Sequence, residues 1–305
     1  MTASVFIDGE AGTTGLQIRD RLLGRDDIRL VQVDPARRKD ADARRAAFAE
    51  ADVAILCLPD EAAKEAVALC ADLPTRIIDA STAYRVNPDW VFGFAELAAG
   101  QREKIAAARY VTNPGCWSTG AIGILAPLVA AGLVAADAPL TINGVSGYTG
   151  GGKALIAEFE AGTAGNHFVY GLDHKHKHLP EIAVHARLAR PPLFIPSVGA
   201  YAQGMIVQIP LHLTTGQTPA MIEAALRAHY AGQRFVQVMP PDTVMPRANP
   251  ERLNGTNRME ITAHPSADGA RVVLLATLDN LGKGASGAAV QNLNLMLGMD
   301  EGAGL

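Results

Sequence analysis

The sequence predicts an α/β chain: a Rossmann-like doubly wound parallel sheet, followed by an α+β domain with a mixed or antiparallel sheet. Three observations predict it. Over the first 116 residues, short apolar runs alternate with helical stretches, the pattern of βαβ units. The first run opens onto glycines at G-x-x-G-x-x-G spacing and then a helix, a context in which backbone can approach a dinucleotide closely. The later runs at 258–263 and 271–279 lie a hairpin's length apart, which points to antiparallel pairing.

Composition bounds the rest. A chain of 305 residues, 49% apolar and 19% charged, has material for two real cores and is not a disordered polymer. A net charge of −4 without a long basic run argues against nucleic acid. No apolar run reaches the ~20 residues of a membrane span. The start, Met1-Thr2-Ala3-Ser4-Val5, has neither the basic nor the apolar region of a signal peptide. Cys57, Cys70 and Cys116 are an odd number without Cys-x-x-Cys spacing, as expected of thiols in a reducing cytoplasm. Cys57 and Cys70 read as core.

Taken in order, residues 4–8 form a strand that runs into Gly9, Gly12, Thr13, Thr14 and Gly15. The helix that follows, through Leu16, Ile18, Leu22 and Leu23, would offer its first N–H groups to a pyrophosphate. The strand Arg29–Val33 ends at Asp34, where an acid suits the ribose hydroxyls of NAD. Arg37, Arg38 and Lys39 come next, and such a cluster suits a 2′-phosphate or is simply a solvated face. A helix at 41–50, a strand at 53–58, a helix at 60–72 and a strand at 76–79 continue the alternation. At the carboxyl end of that last strand, where open α/β sheets hold ligands, Ser81 and Thr82 could donate to ligand oxygens and Arg85 could clamp an anion.

Arg109–Thr112 reads as a strand end, and Asn113-Pro114-Gly115 as turn chemistry. The apolar stretch from Gly120 reads as a buried helix. Cys116 therefore falls at a helix N-terminus, where backbone N–H groups and the dipole favour thiolate, and it is the candidate nucleophile. A strand at 140–145 leads into a second glycine-rich loop, Ser146–Lys153, without the G-K-[ST] of a Walker motif; Lys153 there could meet a carboxylate or phosphate. Histidines crowd at 174–178. In an extended segment His174, His176 and His178 would share a face. No cysteine or H-x-x-x-H pair supports a metal, whereas a nucleophilic cysteine needs an imidazole. Strands at 193–199 and 204–213, a helix at 219–229 and a final helix from Gly287 to Gly298 complete the chain.

The motifs Phe6–Gly15, Asp79–Arg85, Asn113–Cys116, Ser146–Lys153, His176–Glu181 and Asn280–Gly284, in this order over nearly the whole length, resemble the shorter branch of the N-acetyl-γ-glutamyl-phosphate reductases, in the aspartate-semialdehyde dehydrogenase superfamily. The resemblance implies an NADP-binding Rossmann domain at 1–116, completed by about 285–305, and a catalytic and oligomerisation domain at 117–284. It implies NADP(H)-dependent reduction of an acyl phosphate to an aldehyde in arginine biosynthesis, and a homo-oligomer, dimer or tetramer. Cys116 falls on the catalytic cysteine and His178 or His176 on the acid/base, with His178 preferred. Asn280, Lys283 and Gly284 match a loop near the nicotinamide; Arg85 and Lys153, as cations, would hold the phosphate or carboxylate of an acidic substrate, with Asn113 and Glu181 also expected on the substrate side. Trp117-Ser118 stands where the family commonly has Tyr-Pro or Tyr-Ala. The competing readings are an aspartate-semialdehyde dehydrogenase, a non-catalytic NADP(H)-sensing regulator and a thiol hydrolase that would leave the first ~110 residues without purpose.

Overall fold

The computed structural model describes residues 2–243 and 246–305; Met1, Val244 and Met245 lie outside the described residues. The chain begins with β1 (Ala3–Asp8), α1 (Thr13–Leu22), β2 (Ile28–Val31), α2 (Ala41–Glu50), β3 (Val53–Leu56), α3 (Asp60–Leu69), β4 (Arg76–Asp79), β5 (Val91–Phe92), α4 (Gln101–Ala107) and β6 (Tyr110–Thr112). It continues with α5 (Cys116–Ala130), β7 (Thr141–Gly147), α6 (Gly152–Glu160), β8 (His167–Val169), α7 (Leu179–His185) and β9 (Leu193–Gly199). The last elements are β10 (Met205–His212), α8 (Pro219–His229), β11 (Val236–Val238), β12 (Met259–Pro265), β13 (Arg271–Leu278) and α9 (Gly287–Leu297). Two compact units result. One comprises the residues up to Ala95, Gly100–Pro114 and Ala285–Leu305; the other comprises Glu96–Ala99 and Gly115–Gly284.

The first unit is built on a six-stranded sheet in the order β2-β1-β3-β4-β6-β5, parallel at every pairing. The order turns back between β1 and β3, which opens a crevice at their carboxyl ends. Side chains alternate across the sheet. Val5 and Ile7 join Ile18, Leu22, Ile55, Val290 and Leu293 on one face. Phe6 joins Phe48, Leu56 and Ile77 on the other, its ring edge-on to Phe48 at 5.2 Å. α1 departs from the expected apolar face: Gly15, Ile18 and Leu22 are buried, whereas Leu16 and Leu23 are 41% and 54% exposed. The turn at Leu23 ends the helix before that side chain can reach the sheet.

The second unit carries a seven-stranded sheet, β11-β12-β13-β10-β7-β9-β8. It is antiparallel at β12–β13, β13–β10, β10–β7 and β8–β9, and parallel at β7–β9 and β11–β12. α5 lies against this sheet and has no polar face: Ile122, Ile124, Leu125 and Leu128 are fully buried. A helix apolar on every side must be covered on every side, so its first residue, Cys116, is firmly placed. The histidine segment is not extended as expected. His174 sits in a left-handed turn with φ +55° and is exposed, while His178 caps the start of α7. Among the described residues no helix is long and apolar enough to cross a membrane.

The two α1 positions make a stability test. Ile18→Ala, which empties a fully buried site, should cost about 2–5 kcal/mol. Leu23→Ala should cost no more than about 1 kcal/mol, and urea unfolding of both variants measures the difference.

Candidate active site

In the first unit the crevice at β1 is a cavity of about 120 Å³ lined by Asp8, Gly9, Glu10, Val33, Arg38 and Leu58, among others. Gly9 has φ +89°, and a Cβ there would stand 2.4 Å from the Cys57 carbonyl oxygen. A Cβ on Gly15 would stand 2.6 Å from Gly9 O, so α1 begins hard against the turn. Gly12 is the N-cap of α1, and no side chain caps the first turn. The N–H groups at Thr13 and Thr14 therefore face the place where a pyrophosphate is expected. Residues this close-packed, with an uncapped helix behind them, fit a dinucleotide. Asp8, at the end of β1, is paired with Arg44 at 2.7 Å; burial still pushes its carboxyl above the usual range.

The basic trio divides. Arg38 lines the cavity and reaches Glu10 at 3.4 Å. Arg37 pairs with Asp40 at 3.2 Å and is exposed, and Asp34 turns its carboxylate onto the Ala36 N–H at 2.8 Å. Ser81 and Thr82, expected to donate to a ligand, donate within the fold: Ser81 Oγ to Asp79 at 2.7 Å and Thr82 Oγ1 to Asp60 at 2.5 Å. Arg85 is buried and its Nη2 donates to Ala80 O at 3.1 Å.

The second unit holds a cavity of about 250 Å³ whose lining brings Cys116, His176 and His178 together. Cys116 opens α5, with Gly115 as N-cap. The Gly115 N–H donates to Glu181 Oε1 at 2.9 Å, and Gly115 O accepts from Thr119 N at 2.9 Å and Thr119 Oγ1 at 3.1 Å. Behind the cysteine a Cβ on Gly284 would stand 2.7 Å from Cys116 Cβ, so nothing larger than glycine lets the turn Gly282–Ser286 close on the sulfur-bearing residue. His176 Nδ1 accepts from His178 N–H at 3.2 Å; in the neutral ring its proton therefore sits on Nε2. The imidazoles lie 4.8 Å apart, and the His176 ring packs against Phe194 at 4.9 Å and Tyr170 at 5.6 Å.

Four residues expected to meet ligands make contacts within the protein. Lys283, matched to the nicotinamide loop, is buried with its Nζ on both oxygens of Glu96, at 2.9 and 2.8 Å, because an interior ammonium needs an interior counterion. Asn280 holds loops, accepting from Gly204 N at 2.7 Å and donating to Thr149 Oγ1 at 3.1 Å. Asn113, matched to substrate, works inside the first unit: its Nδ2 donates to Ala285 O at 2.9 Å, and its Oδ1 accepts from Asn292 at 3.2 Å. Glu181 is 1% exposed, and its Oε1 accepts from the Gly115 N–H of the cysteine turn.

Two cavity residues were missed. Lys153 is exposed on the first turn of α6 and outside the lining, whereas Lys177, between the two histidines, is part of it. Tyr170 also lines the cavity, and its oxygen accepts from Trp117 Nε1–H at 3.0 Å. Burial, and then the nearby Cys116 charge, hold its hydroxyl well above the usual range. Its place just past the short edge strand β8 left no periodic signal to find it by.

A glycine-cradled parallel sheet and a second unit of mixed topology define a dinucleotide-dependent oxidoreductase. Residues 9–108 match the family described as semialdehyde dehydrogenase, NAD binding domain, and residues 116–280 the semialdehyde dehydrogenase, dimerisation domain. The chain is 54% identical to the N-acetyl-gamma-glutamyl-phosphate reductases of Brucella ovis and Brucella melitensis biotype 1, over 98% of its length and 100% of theirs. The chain belongs to the semialdehyde dehydrogenase family, in the branch of the N-acetyl-gamma-glutamyl-phosphate reductases. Its fold is also that of solved aspartate semialdehyde dehydrogenases. The Vibrio cholerae enzyme II complexed with ASA gives a TM-score of 0.73 at 14% identity, over 97% of this chain and 98% of that one. The Candida albicans enzyme with NADP gives 0.67 at 13%, over 97% and 99%.

The buried pair yields a clear expectation. Lys283→Met removes the ammonium that faces the buried Glu96 carboxylate and should cost about 3–5 kcal/mol, while Lys283→Met with Glu96→Leu should recover most of it; chemical denaturation of the two variants checks this.

Proposed function

We propose that this chain reduces N-acetyl-γ-glutamyl phosphate to N-acetylglutamate semialdehyde and phosphate with NADPH, through a thioester on Cys116, as a step of arginine biosynthesis. The observation that carries the reading is the cavity shared by Cys116, His176 and His178, in a chain 54% identical to reductases of that name. NADP(H) would be held by Gly9, Gly12, Gly15 and the first turn of α1, with Arg38 toward the 2′-phosphate. When bound it supplies the hydride.

The Cys116 thiolate, favoured by the positive end of α5, attacks the acyl-phosphate carbonyl carbon. The bond from that carbon to the bridging oxygen breaks, and phosphate leaves with the electron pair. A thioester suits the next stage because it accepts hydride readily and thiolate leaves well. His178 donates a proton to the oxygen of the resulting thiohemiacetal and takes it back as the C–S bond breaks and aldehyde departs. His176, its Nδ1 engaged by the His178 N–H, presents Nε2–H as a fixed donor. The match of 116–280 to a dimerisation domain supports a homo-oligomer. Three cysteines, none in a disulfide, support a reducing cytoplasm.

The deciding assay runs the reaction backwards, with N-acetylglutamate semialdehyde, NADP⁺ and phosphate, and aspartate semialdehyde in parallel. Phosphate-dependent NADPH formation with the acetylated substrate is expected; activity on aspartate semialdehyde alone overturns the reading. Cys116→Ser should keep NADPH binding and lose turnover by on the order of 10³-fold or more. Arg38→Ala should weaken NADPH by roughly tenfold or more, with little change for NADH. Arg37→Ala, whose partner is Asp40, should alter neither much; titration calorimetry measures all four constants.

A further inference from the structure

The cavity beside Cys116 has a second property that the reaction alone does not explain. Its walls away from the sulfur are apolar: Trp117, Leu155, Phe168 and Val198. Trp117 is 2% exposed and stands edge-on to Phe194 at 5.4 Å. Phe168 belongs to a run of rings, 6.1 Å from Phe159 and 6.3 Å from Tyr170. These surfaces are therefore held in place rather than loosely draped. Beside this wall the lining includes one lysine, Lys177, and the described lining contains no carboxylate.

Such a lining discriminates by charge. An amino acid held by its side-chain acyl group on Cys116 would bring its α-carboxylate and α-nitrogen into this cavity. The carboxylate gains a charge-assisted partner in Lys177. A free α-ammonium would lose its water beside a like charge with no anion to compensate, which is costly. An N-acyl group removes that charge and adds apolar surface for the wall to cover. At about 250 Å³ the cavity lies below the range of roughly 300–1,000 Å³ that drug-sized ligands occupy, so a short acyl group suits it and a long one does not.

We propose that Lys177 and the Trp117–Phe168 wall form the specificity site of this enzyme: Lys177 binds the substrate α-carboxylate, and the wall receives a short N-acyl group while excluding a free amine. This rests on the function proposed above and names the residues that choose its substrate.

The test uses two semialdehydes that differ only in the acyl group, aspartate semialdehyde and N-acetylaspartate semialdehyde, together with N-acetylglutamate semialdehyde, each with NADP⁺ and phosphate. The native enzyme should prefer the acetylated member of the pair by at least ~10²-fold in kcat/KM. Lys177→Met should raise KM for N-acetylglutamate semialdehyde by about 10–100-fold with kcat within about threefold, and Lys177→Arg should restore most of the loss. Phe168→Ala should shift preference from N-acetyl toward N-propionyl and larger acyl groups. Titration with N-acetylglutamate gives a second readout: binding should weaken in Lys177→Met and return in Lys177→Arg. An active native enzyme whose Lys177→Met variant keeps its KM, or loses only kcat, overturns the assignment of Lys177. An unchanged acyl profile in Phe168→Ala overturns the wall. A native enzyme silent on every semialdehyde overturns the reductase reading and this one with it.

Discussion

The bond from the Gly115 N–H to the buried carboxylate of Glu181 is the constraint on which the site depends. A helix N-terminus attracts anions because its first N–H groups have no partner within the helix. At α5 the residue just before the cysteine has its N–H taken by Glu181, while Gly115 O receives both the backbone and the side chain of Thr119. The turn is thus fixed on both sides of Cys116 without any side chain occupying the sulfur's own place. Gly284 closes the rear, and a residue with a Cβ there would push Cys116 toward the cavity. The geometry of one sulfur is set by three residues, none of which need touch a substrate.

The polar interior of the second unit follows the same logic. Glu96, Glu181 and Asp279 are nearly or wholly buried, and each is matched to donors. Asp279 accepts from Gln203 Nε2 at 2.5 Å, Gly255 N at 2.8 Å and Leu281 N at 2.9 Å. Glu96 has Lys283. Buried charges of this kind add little net stability when well paired and cost several kcal/mol when one partner is lost. What they provide is a single arrangement of the loops at 96–99, 203–204, 255 and 279–284, the same loops that frame Gly284 and Asn280. Apolar contacts alone, being non-directional, would hold these glycine-rich segments far less specifically.

The fold class was legible because it rests on period and order. Parallel strands buried on both faces read as short apolar runs, such as Val53–Leu56 and Arg76–Asp79, and α5 reads as a helix without a polar side. The glycine turn at Gly9 was legible because a positive φ and a close carbonyl leave few residues to choose from. The polar side chains were harder. Lys283 and Asn113 occupy motif positions that suggest ligands, yet both face inward, and no pattern in the sequence distinguishes a buried donor satisfied by Glu96 or Ala285 from one aimed at a cofactor. Lys153 and Lys177 show the converse: each is a lysine in a polar stretch beside a chemical motif, and only the turn at His174 and the start of α7 decide which one meets the cavity. Leu23 failed for a simpler reason, since helical period marks a face and the end of the helix decides how much of it is used.

The likeness to semialdehyde dehydrogenases at 13–16% identity, with TM-scores of 0.67–0.73, shows which of these constraints survive when most side chains change. Two sheets and their connections persist because backbone hydrogen bonding and handed crossovers admit few alternatives. A substrate is chosen elsewhere, in side chains that the sheets merely carry. In this chain the cavity beside Cys116 is lined from α5, β7, α6, β8, the turn before α7 and β9. A change at Phe168 or Lys177 alters the cavity's shape or charge without touching the bonds that hold Cys116. The fold can therefore keep the turn that places Cys116 while the shape and charge of the cavity beside it are exchanged.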